Sequence, residues 1–197
     1  MKTGKTVKVL LTAATAAGML AGCGSKTDTD TFRFASELDI QGMDSTVVDD
    51  GMSFNAVHAI TDGLTAVNEK GKTAPAIAKS WDVSDDGKTY TFHLRDAKWS
   101  NGDKVTANDF VYSWRKIIKN AGNYAYMLGS EGASVKNADA LMELGTNATD
   151  EQMATLGVTA KDDKTLVVEL ENKVPYFTDL MAFPCYFPQN EKFVEKC

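Results

Sequence analysis

Residue types that commonly carry catalysis or bind metal ions are scarce in this sequence. Two histidines, His58 and His93, and three cysteines occur among 197 residues. Neither histidine has a serine or cysteine at the spacing typical of a nucleophile and its base, and no metal-binding spacing is present. Acidic pairs such as Asp85-Asp86 lack the alternating ligand positions of a calcium loop and indicate solvated turns. We therefore expect a binding protein rather than an enzyme, with no cofactor and no metal ion.

A basic stripe and a glycine-rich phosphate loop are also missing. Aspartate and glutamate number 27 against 21 lysines and arginines, which gives a formal net charge of −6. Proteins bind duplex nucleic acid through clustered lysine and arginine side chains, so we expect no nucleic-acid partner. The hydrophobic fraction of 43% and the charged fraction of 24% are ordinary for a globular protein. The length suits one or two domains with a packed core.

The apolar run at the N-terminus, Val9 to Leu20, is too short to span a bilayer comfortably. It follows the positively charged residues Lys2, Lys5 and Lys8, which is the pattern of a secretory signal. The run ends in Leu20-Ala21-Gly22-Cys23, which resembles the bacterial lipobox, a motif whose cysteine is lipidated and becomes the new N-terminus. We predict a signal peptide at 1–22, followed by a lipidated Cys23 and a polar tether at 23–31. The alternative is a buried core helix with a stray cysteine.

Lipidation of Cys23 would hold the protein on the extracytoplasmic face of the cell membrane. Each buried methylene contributes about 0.8 kcal/mol, and two or more acyl chains suffice for stable anchoring. Of the other cysteines, Cys185 lies between aromatic and proline residues and is expected to be a small buried thiol. A disulfide between Cys185 and Cys197 stays an open alternative, because a separation in sequence does not fix the geometry of a bridge.

The densest local pattern lies between residues 78 and 114. Asp85-Asp86-Gly87 supplies the turn chemistry that reverses a chain between two strands. In the returning strand, apolar side chains alternate with polar ones as in a half-buried strand; they are Tyr90, Phe92 and Leu94. The alternation predicts a hairpin at 80–95, with His93 on the strand surface. The same logic predicts a second hairpin at 158–170 in the same sheet.

A capped helix is predicted after the first hairpin. Thr106 stands three residues before Asp109, a variant of the capping box, and apolar residues follow at helical spacing. This predicts a helix at 107–120 that covers the sheet and buries Trp114. Upstream, we expect a short strand at 31–35 and a helix capped by Ser53, whose apolar face comprises Phe54, Val57, Ile60 and Leu64.

The stretch from Trp81 to Trp114 resembles the signature region of a known family. In the extracellular solute-binding proteins of ABC importers, which include oligopeptide-binding and dipeptide-binding proteins, a W-[DE]-x-S-x-D-G-x-x-Y-T-F-x-L-R run leads into K-W-S-x-G and then T-A-x-D-F-x-Y-S-W. Every one of these elements is present, at the same spacing. The aromatic residues of the motif are expected to pack in the core or under loops, so the motif identifies the family without forming a ligand site.

The resemblance implies an α/β fold of the periplasmic-binding-protein type (type II, cluster C). Residues 32–197 would form the N-terminal part of the solute-binding domain, an incomplete first lobe with a mixed sheet that stops before the second lobe. The family's site lies between two lobes, and its acidic residue for the peptide amino group belongs to the later part of the chain.

The function implied is that of a lipid-anchored substrate-binding protein of a peptide ABC transporter. Its partners would be an oligopeptide ligand and the ABC permease subunits in the membrane, and it would act as a monomer. A different class of function stays open beside this one: a truncated surface lipoprotein that serves as an interaction or signalling module, or a remnant without transport activity. Other solutes bound within the wider family, such as nickel, haem or sugars, also stay open.

The resemblance assigns ligand-binding positions to two segments. The first lies between the first strand and the first helix and here contains Asp49 and Gly51, whose backbone groups would pair with an extended peptide as a sheet edge does. The second is Tyr124, at a position that packs on the ligand near its N-terminus. The structural alternatives are a helix-entry turn for Asp49 and Gly51, and a core aromatic for Tyr124.

Overall fold

The structure, a computed structural model, describes residues 35, 36 and 38–196. The predicted signal peptide and Cys23 lie outside the described residues, as does nearly all of the predicted strand at 31–35. Residues 38–196 belong to one unit, and the elements below are all within it. In this part of the chain no helix has both the length and the hydropathy needed to cross a bilayer.

Helices and strands alternate irregularly along the unit. The described helices are α1 (Gly51–Ile60), α2 (Ala107–Lys119), α3 (Ala138–Leu144), α4 (Asp150–Met153), α5 (Phe177–Leu180) and α6 (Glu191–Val194). The described strands are β1 (Thr65–Val67), β2 (Thr73–Pro75), β3 (Ala78–Val83), β4 (Thr89–Leu94), β5 (Val158–Asp162) and β6 (Thr165–Glu169). Short 3-10 turns occur at Ala125–Leu128, Gly145–Asn147 and Pro184–Tyr186.

The two predicted hairpins form one four-stranded sheet in the order β3-β4-β6-β5. We expected a mixed sheet, but every strand pair in the described residues is antiparallel, including the separate β1-β2 pair. Short turns join β3 to β4 and β5 to β6, and such turns permit only antiparallel pairing because a parallel pair needs a long crossover. Gly87, with φ of 71°, provides the left-handed residue of the first turn.

The alternation predicted for the returning strand is confirmed. In β4, Tyr90, Phe92 and Leu94 are buried, and the intervening residues are half-buried. On the other face His93 pairs with Asp82 across the hairpin, with Nε2 and Oδ2 2.8 Å apart. One face of the sheet therefore contributes to the core while the other meets solvent.

Helix α2 packs on β5 and β6 and carries much of the core. The predicted cap is present: the Asp109 carboxylate accepts hydrogen bonds from the Thr106 N–H at 2.8 Å and from Trp99 Nε1 at 3.2 Å. Trp114 has no exposed surface, and its Nε1 donates to the Tyr186 carbonyl at 2.9 Å. The helix is thus fixed at its start by its own cap and along its length by the segment around Tyr186.

The prediction that Ser53 caps α1 is wrong. The cap is Asp50, whose Oδ1 accepts from the Ser53 N–H at 2.8 Å, so Ser53 already lies inside the first turn. The buried Ser53 hydroxyl instead accepts from the N–H groups of Gln41 and Gly42, at 3.0 and 3.2 Å. Asp50 outcompetes Ser53 because its carboxylate also interacts favourably with the positive end of the helix dipole.

Cys185 is a free, fully buried thiol in the 3-10 turn at Pro184–Tyr186. Burial raises the pKa of this thiol well above its ordinary value, so it stays protonated and unreactive in the folded state. The small buried thiol expected from the sequence is therefore confirmed. The placement of Cys197 lies outside the described residues.

Candidate functional site

The loop that precedes α1 is fastened to the rest of the molecule at Asp44. Asp44 Oδ2 lies 2.7 Å from Lys116 Nζ on α2, and its Oδ1 accepts from Thr46 and from Gln189 Nε2. Lys116 also donates to Gln189 Oε1 at 2.9 Å. Burial tends to raise the pKa of Asp44, but the hydrogen bonds, led by that from Lys116, outweigh it and lower the pKa to about 2. The loop therefore starts from a fixed point.

The predicted residues Asp49 and Gly51 stand at the exposed end of this loop. Both are exposed to solvent, and a Cβ placed at Gly51 would meet no atom within 4 Å. Between them, Asp50 is in an extended conformation, with φ of −105° and ψ of 149°. Hydrogen bonds from the Ser53 side chain and backbone lower the pKa of Asp50, which keeps the cap ionised. The helix-entry alternative applies to Gly51, which is the first residue of α1, while the cap itself is Asp50.

The backbone of Asp49 is unpaired within the part of the chain that the structure describes. Val47 and Val48 donate their N–H groups to the Asp44 carbonyl at 3.0 and 3.1 Å, but the N–H and carbonyl of Asp49 make no hydrogen bond to another described residue. A solvent-exposed main chain with a free donor and acceptor is the arrangement that an added strand uses. The pairing of this segment with a peptide stays a prediction.

Tyr124 lies beside this loop, in an aromatic cluster. Its ring centroid is 5.1 Å from that of Phe54 on α1 and 5.3 Å from that of Phe183, and both partners tilt against it. Tyr126, which is 43% exposed, stacks on Tyr124 at 5.9 Å. Tyr124 itself is half-buried. Three aromatic rings contact Tyr124, which agrees with the core-aromatic alternative, and the residue still keeps part of its surface exposed. Its contact with a ligand stays a prediction.

A comparison with known protein families shows which family the chain belongs to. Residues 72–196 match the model of the bacterial extracellular solute-binding proteins, family 5 (middle region). The protein belongs to this family. Its members are solute-binding proteins rather than enzymes, in agreement with the interpretation drawn from the scarcity of catalytic residues.

Several relatives of this family 5 chain are named as peptide-binding proteins. The chain is 39% identical to the dipeptide-binding protein of Lactococcus lactis subsp. cremoris over 200 residues, which covers 100% of the chain and 35% of the relative. It is 42% identical to the oligopeptide-binding protein OppA of Bacillus subtilis over 153 residues, covering 76% of the chain and 26% of that protein. The chain thus spans about a third or less of the length of these relatives.

Solved structures give the same fold. The substrate-binding domain of an oligopeptide ABC transporter from Bacillus anthracis superposes with a TM-score of 0.76 at 41% identity, over 83% of this chain and 30% of that one. Listeria monocytogenes OppA bound to peptide superposes with a TM-score of 0.70 at 40% identity, over 78% of this chain and 29% of that one. The predicted periplasmic-binding-protein-like fold, covering only a part of the family's chain, is confirmed.

A groove of this family 5 chain lies apart from the three predicted residues. It is a groove of about 710 Å³ whose walls are mainly apolar and include Met43, Ile60, Trp99 and Phe193, with Asp44 and Gln189 at one side. Asp49, Gly51 and Tyr124 do not line it. The groove therefore meets the loop before α1 at its start, near Asp44, whereas the candidate peptide site lies at the end of that loop.

The contacts that join the loop at Asp49 to Tyr124 could not be predicted from the sequence. Phe54 and Phe183 support Tyr124, and Asn123 contacts the loop, but none of the three stands out in the sequence. Phe54 was predicted only as a member of the apolar face of a helix. A turn such as Ala121-Gly122-Asn123 signals the end of a helix, and nothing local indicates that its asparagine reaches a residue 74 positions away. In the described residues no cluster of acidic, histidine or cysteine side chains could hold a metal ion.

Proposed function

We propose that this chain is the N-terminal part of a substrate-binding protein that captures oligopeptides outside the cytoplasm for an ABC importer. Asp49, Gly51 and Tyr124 would contact the peptide, the first two through the main chain and the last through its ring. The protein would act as a monomer and deliver the peptide to the permease subunits in the membrane. The family membership and the peptide-binding relatives support the class of ligand.

The observation that carries the proposal is the exposed and unpaired main chain of Asp49 beside the half-buried ring of Tyr124. Main-chain pairing gives affinity without reading side chains, which suits a receptor for peptides of varied sequence. The aromatic ring of Tyr124 beside this main chain offers a large contact surface at a low cost in conformational entropy. The two features lie in one place although 75 positions separate them in the chain.

The lipobox at Leu20–Cys23 supports attachment to the membrane through lipidated Cys23, after removal of a signal peptide at 1–22. A tether at 23–31 would leave the binding unit free to reach the permease. An anchored receptor stays near the transporter without a high affinity between the two proteins, because confinement to a surface raises their effective concentration.

Chemical-shift mapping with trialanine tests the binding site. When the peptide is added to the ¹⁵N-labelled protein, we expect the amide signals of residues 47–51 and 124–126 to shift progressively. The peptide concentration should rise to about 10 mM, so that a weak site is also populated. Asp49→Asn tests whether the contact uses the main chain, since this change should leave most of the shift in place. Asp85→Asn, in the exposed hairpin turn, is the matched control. Shifts confined to other regions would contradict the assignment of the site.

A further inference from the structure

Two loops that are far apart in sequence meet at a single side chain. The Asn123 amide donates from Nδ2 to Asp49 Oδ2 at 2.9 Å and to the Val47 carbonyl at 3.4 Å. Asn123 and Asp49 are both exposed, so the contact lies at the surface rather than in the core. The other carboxylate oxygen of Asp49 has no hydrogen-bond partner among the described residues. One amide group therefore restrains both the backbone and the side chain of the loop.

The backbone around Asn123 is shaped for this close approach. A Cβ at Gly122 would stand 2.2 Å from the Thr46 carbonyl oxygen, so only glycine lets the turn approach the loop this closely. Ala121 precedes it with φ of 49°, in the left-handed region that non-glycine residues seldom adopt. The Ala121 and Gly122 N–H groups bond back to Ile118 and Ile117, which ends α2 and directs the chain toward the loop.

The same turn also places Tyr124. Its ring follows Asn123 directly and is held between Phe54 and Phe183. We infer that Asn123 is a positioning residue that holds the Asp49 segment in register with the Tyr124 ring, so that both parts of the peptide site are ordered before a ligand arrives. The role of Asn123 in peptide binding rests on the proposed function. Its effect on the order of the loop rests on the loop geometry alone.

The physical reason is preorganisation. Asp49 is exposed, at the end of a loop that is fastened at Asp44, five residues earlier, and a peptide that had to order this end of the loop would bind less tightly. A charge-assisted hydrogen bond to Asn123 removes that cost in advance. Asn123 need not touch the peptide, since it acts through Asp49 and Val47.

Amide hydrogen exchange tests the positioning without any ligand. In Asn123→Ala, we expect the Val47 and Val48 amides to exchange about 3- to 10-fold faster than in the wild type, the effect of losing one hydrogen bond that restrains the loop. Asn120→Ala is the control, since Asn120 is three residues away and its side chain makes no hydrogen bond to another described residue. Amides of β4 should exchange at unchanged rates in both variants, which shows that the fold is intact.

A double variant that exchanges the residues at positions 49 and 123 distinguishes positioning by Asn123 from a general structural role. Asn123→Asp alone sets two carboxylates against each other and should loosen the loop at pH 7. Combining it with Asp49→Asn restores the contact between positions 49 and 123 with donor and acceptor exchanged, but not the hydrogen bond to the Val47 carbonyl. Exchange at Val47 and Val48 should therefore be slower than in Asn123→Asp alone, although it need not reach the wild-type rate. Unchanged exchange in Asn123→Ala, or no recovery in the double variant, would overturn the inference.

Trialanine titration of Asn123→Ala then connects order to binding. The shifts at residues 124–126 should be at least about threefold smaller than in the wild type at the same peptide concentration, which corresponds to a loss of preorganisation. Equal shifts in the two proteins would reject the binding role of Asn123. If the wild type itself shows no shift, the proposed peptide site is wrong, and the exchange data still decide the positioning.

Discussion

At the scale of single residues, the Asp44 carboxylate joins three parts of the chain. It connects the loop before α1 to Lys116 on α2 and to Gln189 after the last 3-10 turn. The pKa of Asp44 is about 2 in the folded state, below its ordinary value of 3.8. The unfolded state therefore binds a proton more readily than the folded state between about pH 4 and pH 2. The stabilisation by this carboxylate is present above that window and is lost as the pH falls through it.

Lys116→Met should remove most of this stabilisation. We expect a loss of about 1–2 kcal/mol in the free energy of unfolding at pH 7, since the Asp44 side chain is 40% exposed and solvent screens part of the pair. The dependence of stability on pH between about 4 and 2 should also become weaker. Urea unfolding at several pH values measures both effects.

Lys119→Met is the matched control for that change. Lys119 lies on the same helix and pairs with Asp150 at 2.9 Å, but both side chains are exposed, at 41% and 91%. Exposed ion pairs contribute little to stability, so the control should lose less than about 0.5 kcal/mol. Equal losses in the two variants would show that the Asp44 network contributes no more than a surface pair.

At the scale of elements, α2 is the helix on which the sheet, the loop and the later segment all depend. Trp114 is fully buried, its ring lies edge-on to Tyr186 at 5.6 Å, and its Nε1 bonds to the Tyr186 carbonyl. We expect Trp114→Ala to lower the free energy of unfolding by about 3–5 kcal/mol, because it leaves a large cavity. Trp114→Phe keeps much of the packing and should cost less, with about 1–3 kcal/mol for the unpaired carbonyl. An unchanged melting temperature in Trp114→Ala would contradict the assignment of this ring to the core.

Elements with strong local signals were predicted well. The hairpins and α2 follow from period-2 alternation, a turn containing Gly87, and the Thr106–Asp109 cap, each of which acts within a few residues. The cap of α1 was misassigned because Asp50 and Ser53 are both good capping residues, and only the structure shows which one accepts the hydrogen bond. The antiparallel pairing of β4 with β6 needed a long-range contact that no local pattern encodes.

At the scale of the whole molecule, the candidate site depends on long-range contacts and could be predicted only in part. The resemblance pointed to Asp49, Gly51 and Tyr124, and these residues do lie near one another. What brings them together is the contact of Asn123 with Asp49 and the packing of Phe54 and Phe183 on Tyr124. Such contacts depend on how the elements pack, so a sequence pattern that covers a few residues cannot reveal them.

The proposed anchor gives a prediction for the protein in its cellular setting. Replacing Cys23 by Ala should leave the protein unprocessed or release it in soluble form, because it removes the thiol that the proposed lipidation requires. Fractionation of cells that produce the wild type and the variant measures the membrane-bound share. The control is Cys185→Ala, which removes a buried thiol and should not change the distribution. Mature, membrane-bound protein in the Cys23→Ala variant would refute the lipoprotein assignment.

The last prediction concerns the peptide affinity of the chain by itself. The candidate site is open: Asp49 and Gly51 are exposed, and Tyr124 is half-buried among other aromatic rings. Association must overcome about 4–15 kcal/mol of lost translational and rotational freedom, in addition to the cost of ordering the peptide. A short stretch of main-chain pairing and one aromatic contact do not offset such a cost by much.

We therefore expect residues 24–197 to bind short peptides no tighter than about 1 mM, which corresponds to about −4.1 kcal/mol. Calorimetry with a small library of mixed peptides measures this, with the peptide-binding OppA of Listeria monocytogenes as the positive control. A clear micromolar isotherm for the 24–197 protein would contradict the prediction. It would mean that the loop at Asp49 and the ring at Tyr124 already make a complete site, and that a second enclosing surface adds little to affinity.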